Sequence, residues 1–188
     1  MRPLAVALTG GIAAGKSEAL QAFARHGAAV ISTDEVVHEL YRDDAELQAA
    51  LRERWGDRVF VDGEVDRAAI GAIVFVDRDE LAWLEAELHP RVRAATADWL
   101  ARQTAGVAVA EIPLLFETGG KSRFDKVVVI TAPAELRTER RGEVADREAR
   151  LVPEEEKVRR ADFAYVNDGT VEELDAFVGG VLEELTAS

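Results

Sequence analysis

The chain has 188 residues, 48% apolar and 31% charged, a composition typical of a soluble globular domain. Its 36 acidic and 23 basic side chains give a net charge of -13, which argues against a general nucleic-acid coat or a binder of anionic membranes. Cysteine is absent, which excludes disulfides and thiolate sites, and His26, His38 and His89 are too scattered to suggest a histidine zinc site.

Leu4–Leu8 is a continuous apolar run of strand length, the pattern of a strand buried on both faces of a parallel sheet. The opening MRPLAVALTGG resembles a secretory leader only until the residues that follow, and no apolar run is long enough to span a bilayer. Gly10, Gly11 and Gly15 end the strand. Ser17–Arg25 reads as a helix stopped by Gly27, and Ala28–Ile31 as a second strand, completing a βαβ unit. Asp34–Trp55 is mostly helical in pattern, and Val59–Val65 holds an Asp62-Gly63 hairpin signal. Arg67–Val76 and Asp79–Leu88 read as helices. Pro90 reads as a break, and Val92–Gln103 as a further helix. Val107–Ile112 and Lys126–Thr131 are buried-strand candidates joined by the loop PLLFETGGKSRF. Ala134–Arg160 interleaves seven arginines with glutamates, the pattern of a solvated helical surface. Phe163–Val166 is a last strand, Asn167-Asp168-Gly169 a turn, and Thr170-x-x-Glu173 a capping box opening a helix over Val171–Leu185. The alternation predicts an α/β fold interrupted by a helical insertion.

Gly10-Gly11-Ile12-Ala13-Ala14-Gly15-Lys16-Ser17 matches GxxxxGK[ST] and sits between a predicted strand and a predicted helix, the context this motif requires. Its glycines let backbone N–H groups turn toward phosphate oxygens, and the helix N-terminus adds positive potential. Lys16 suits the β- and γ-phosphates and the Ser17 hydroxyl suits Mg²⁺. The chain has four lysines, and one stands in this motif. Glu111 ends a strand, where it either joins the Mg²⁺ shell or faces water. Asp34 follows the second strand. It can orient an acceptor hydroxyl and take its proton, or cap the helix it begins.

These residues bring a family into view. ALTGGIAAGKS, VISTDEVVHEL, RWGDRVFVDGEVDRAAIGAIVF, LEAELHPRV, EIPLLFETG, VVVITAPAELR and ADFAYVNDG occur in an order that resembles the dephospho-CoA kinase family, over nearly the whole chain. The resemblance implies a P-loop fold, a three-layer α/β/α core around a parallel sheet. The core would take residues 1–34, 105–136 and 161–188, an acceptor-binding helical insertion 35–104, and an arginine-bearing lid 137–160. It implies ATP-dependent phosphorylation of the ribose 3′-hydroxyl of dephospho-CoA, with Mg²⁺, in a cytoplasmic enzyme expected to act as a monomer without nucleic-acid or membrane partners. Asp34 matches the family's catalytic aspartate, and His89 and Pro90 match its acceptor-domain motif. Pro113, Leu114, Leu115 and Phe116 either plug the core or line the CoA pocket. Asn167 either approaches the ATP base or simply makes the turn.

Three departures stand out. Ser32 replaces the first carboxylate of the common IDAD, leaving Asp34, and Glu18 follows Ser17 where threonine is usual. The lid stretch RTERRGEVADREARLVPEEEK is short, with Leu151 near the usual glutamine. Its candidates for phosphate contact are Arg140, Arg141 and Arg147, because the planar arginine fork matches phosphate oxygens. Two rival readings remain: a P-loop kinase of another small hydroxyl acceptor, and a nucleotide switch without acceptor turnover. The absence of an NKxD string counts against a regulatory GTPase.

Overall fold

The computed structural model describes residues 2–141 and 151–187, without the side chains of residues 139–141. The chain divides into two compact units, Met1–Ser32 with Trp99–Ser188, and Thr33–Asp98.

In the first unit the apolar runs become parallel strands. β1 (Leu4–Gly10) is central, flanked by β5 (Val107–Glu111) and β6 (Lys126–Thr131), with β2 (Ala29–Ser32) and β7 (Phe163–Val166) outermost, so the order is β2-β5-β1-β6-β7. Every neighbouring pair is parallel. The three inner strands are almost wholly buried and the outer two are partly exposed, as continuous apolar runs in a covered parallel sheet require. Side chains alternate between the faces. Val6, Leu8, Val109, Val128 and Ile130 pack against α1 (Lys16–Arg25) and the closing α8 (Val171–Ala187) through Phe23, Leu174 and Val178. Ala7, Val127 and Val129 face the other way, onto Leu115 and Phe116. The capping box of α8 forms reciprocally: the Thr170 N–H donates to Glu173 at 2.8 Å and the Glu173 N–H to the Thr170 hydroxyl at 3.2 Å.

The second unit is helical. α2 (Thr33–Asp43) and α3 (Ala45–Trp55) are separate helices, because Asp44 caps α3 by accepting from the Leu47 N–H at 2.9 Å. A hairpin of β3 (Phe60–Val61) and β4 (Glu64–Val65) turns at Asp62 and Gly63, both at positive φ, 52° and 88°. Asp66 then caps α4 (Arg67–Val76). Leu47, Leu51, Trp55, Val59, Ile70 and Leu84 form this unit's core, with Trp83 edge-on to Trp55 at 5.0 Å.

α5 (Arg78–Arg102) overturns the expected break at Pro90. It runs unbroken for 25 residues, with Pro90 inside it. Proline removes one backbone bond and crowds the preceding turn. In the turn around it, Arg91 donates to both the Glu87 carbonyl and its carboxylate at 2.8 Å. Among the described residues, no helix is long and apolar enough to cross a membrane.

Candidate active site

The glycine loop leaves the carboxyl end of β1, at the middle of the sheet, where open α/β sheets bind their ligands. Gly10 is required by close approach: a Cβ there would collide with the Ile130 carbonyl on β6. Ala13 at φ 59° and Gly15 at φ 97° turn the chain into α1, whose first residue is Lys16. The Lys16 ammonium donates to the Gly11 carbonyl at 2.7 Å and reaches the Gly10 carbonyl at 3.5 Å. Ser17 is exposed at the start of the helix. Ile12 and Ala13 are half-buried, and Ala14 is fully buried in the core. The Glu18 departure is accommodated, since Arg25 holds that carboxylate at 3.0 Å along the same helix.

Asn167 braces this loop from below. Its amide N–H₂ donates to the Ala14 carbonyl at 2.9 Å, and its backbone N–H to the Thr131 carbonyl at 2.7 Å. A side chain on Gly15 would collide with its amide nitrogen. Asn167 is only 7% exposed, so it is more than a turn residue. Glu111, also 7% exposed, stands opposite Leu8 of β1 and Ser32 of β2 at the top of the sheet. Beyond it, Leu115 and Phe116 are core residues, while Pro113 and Leu114 remain half-buried.

The arginine-rich stretch is not uniformly solvated, contrary to its sequence pattern. Arg137, on α6 (Ala134–Arg141), is buried and lies 3.5 Å from Glu154 of α7 (Glu154–Arg160). Lys157 is 1% exposed and paired with Glu117 at 2.8 Å. Charge counting misses both, because alternating Arg and Glu looks the same whether or not a neighbouring loop covers it. Arg140 and Arg141 lie on the last turn of α6. Their side chains, and Arg147 entirely, lie outside the described residues.

In the helical unit, Asp34 is the second residue of α2 and is exposed. The helix starts one residue before it, so Asp34 lies in the first turn, where a carboxylate suits the helix dipole. His38 stands one turn further on, and its Nδ1 is 3.3 Å from the Arg67 guanidinium. Arginine has no acceptor, so in this contact the guanidinium is the donor. Sequence reading singled out neither His38 nor Arg67, and a histidine one turn after an aspartate was the only signal available. His89 and Pro90 sit side by side midway along α5.

Several comparisons share this picture. The sequence profile of the dephospho-CoA kinase family matches residues 4–173. A dephospho-CoA kinase of Mesorhizobium japonicum is 45% identical over 193 residues, covering 97% of this chain and 96% of the relative. One from Thermobifida fusca is 38% identical over 97% of this chain and 96% of the relative. Among solved structures, the dephospho-CoA kinase from Campylobacter jejuni superimposes with a TM-score of 0.75 at 26% identity, covering 98% of each chain. TT1252 from Thermus thermophilus gives 0.81 at 33% identity over 98% of this chain and 99% of that one. A shikimate kinase from Aquifex aeolicus, at 17% identity and a TM-score of 0.58, shares the fold.

Proposed function

Because the chain belongs to the dephospho-CoA kinase family, we propose that it transfers the γ-phosphoryl group of ATP to the ribose 3′-hydroxyl of dephospho-CoA, yielding CoA and ADP in CoA biosynthesis. The observation that carries this reading is the family match over residues 4–173 on a chain whose phosphate loop is intact. The loop amides of Gly10–Gly15 and the N-terminus of α1 hold the phosphates, and Lys16 leaves its carbonyl partners to reach the transferring group. Asn167 keeps the loop in shape from beneath.

Asp34 aligns the acceptor hydroxyl and takes its proton at a carboxylate oxygen. Its contribution is mainly positioning and late proton acceptance. The unit Thr33–Asp98 acts as the acceptor-binding insertion, with Asp34, His89 and Pro90 meeting dephospho-CoA. Of Pro113, Leu114, Leu115 and Phe116, the half-buried Pro113 and Leu114 are the two open to a ligand, since Leu115 and Phe116 are core residues. Residues 137–160 act as the lid, with Arg140, Arg141 and Arg147 as phosphate ligands.

The donors also suit Mg²⁺. The Ser17 hydroxyl and Glu111 carboxylate are hard oxygen ligands, the kind Mg²⁺ takes together with phosphate oxygens and water. When bound, Mg²⁺ neutralises phosphate charge.

The test is ADP release from Mg-ATP with a panel of acceptors, the product identified by mass spectrometry. Acceptor-stimulated ADP together with CoA, and weak response to other hydroxyl acceptors, is the expected result. Nucleotide binding without acceptor-dependent ADP would overturn it.

A further inference from the structure

Gly11 lies within the phosphate loop, and charged groups crowd it. A Cβ on Gly11 would collide with a carboxylate oxygen of Glu154 and would stand 3.4 Å from an amino group of Arg137. Those two side chains are 3.5 Å apart, and the arginine side chain is only 8% exposed. The Lys16 ammonium sits on the carbonyl of the same glycine at 2.7 Å. A carboxylate therefore lies against a loop whose glycines, lysine and helix N-terminus are arranged to receive an anion.

We propose that Arg137 is a nucleotide-binding residue of this site and that Glu154 is its resting counter-anion, displaced by the phosphates of ATP. Three physical points carry this. Arg137 is always charged, and its fork pairs with a carboxylate or a phosphate in the same way. A buried cation left unpaired is costly, so exchange of one anion for another lets Arg137 change partner without that cost. A carboxylate beside a triphosphate is repelled, so Glu154 and ATP compete for the same neighbourhood. Arg137 stands three residues before Arg140, outside the trio that sequence reasoning assigns to phosphate contact.

This inference rests on the reading of the loop as the ATP site. It is tested by calorimetric titration of the full chain with Mg²⁺ and a non-hydrolysable ATP analogue. If the Glu154-paired state is populated at about 70–90%, Glu154→Gln should lower the Kd about three- to tenfold, since removing a competing state restores the intrinsic affinity. Arg137→Gln should raise the Kd about tenfold or more. The gain from Glu154→Gln should shrink in the Arg137→Gln background, because much of the effect of Glu154 is to hold that arginine. Glu154→Asp, which pulls the carboxylate back while keeping its charge, is the second variant and should also tighten binding. Thermal midpoints without nucleotide show that each variant is folded. If a folded Glu154 variant binds the analogue no tighter than wild type, the pair is only a tie between α6 and α7 and the proposal fails. If wild type itself binds no nucleotide, the underlying ATP-site reading fails instead.

Discussion

The two units build their contributions from different materials. In the sheet unit the site is mostly backbone: a loop at the end of β1, held by Ile130 on one side and Asn167 below, offers amides and one lysine. In the helical unit the proposed acceptor group is a side chain, Asp34 on α2, with His38 one turn further on and Arg67 of α4 reaching His38. A backbone site depends on φ values and close approach, so it is written in the sequence as glycine spacing. A side-chain site depends on which helices meet, and spacing alone does not record that.

The largest effect that sharpens this contrast is expected at Lys16. Lys16→Ala should cut kcat about a hundred- to a thousandfold, the scale of losing one preorganised donor to a charge-bearing transition state, while the protein stays folded. Steady-state kinetics and circular dichroism check it.

Next comes the independence of the units. Leu51 is fully buried in the helical core. Leu51→Ala should cost about 3 kcal/mol of stability, the range for a leucine cavity. ATP affinity below the melting temperature should stay near wild type, because the nucleotide loop belongs to the other unit. A parallel loss of ATP affinity would break the comparison.

A smaller effect is expected at the brace beneath the loop. Asn167→Ala removes the bond to Ala14 and should weaken ATP binding about three- to fivefold, in line with a hydrogen bond worth about 1 kcal/mol. Titration calorimetry reads it.

The smallest concerns pH. Arg2 hydrogen-bonds Asp125, which also accepts from the Ala5 N–H at 2.8 Å, and both hold its carboxyl below the ordinary value. A carboxyl with a lowered folded-state pKa adds stability above its unfolded pKa of about 4, and that stability is lost as pH falls through the folded value. Asp125→Asn should therefore melt a few degrees lower at neutral pH, and the gap should close on acidification below about pH 4. Melting curves across pH 3–7 check it, and a gap independent of pH would contradict the assignment.

Much of the fold was legible because local signals agreed with the tertiary result. Lys126–Thr131 and Phe163–Val166 are strands over the expected residues, and the capping box at Thr170 closes as its spacing requires. Asp44 divides the mostly helical stretch 34–55 into two helices, because its side chain caps α3. The break expected at Pro90 does not occur, since α5 continues through it. In the site, the phosphate loop was visible from its glycines. The bracing role of Asn167 and the burial of Arg137 and Lys157 were not, since each depends on a partner more than 15 residues away in sequence.

The central proposal is that the loop after β1 holds the phosphoryl donor and that Asp34 takes the acceptor's proton. Its most direct test is Asp34→Asn, with Mg-ATP affinity and dephospho-CoA-dependent ADP release measured on the same preparation. The account predicts unchanged ATP affinity and a strong loss of acceptor-dependent turnover. Near-normal turnover in Asp34→Asn would contradict it.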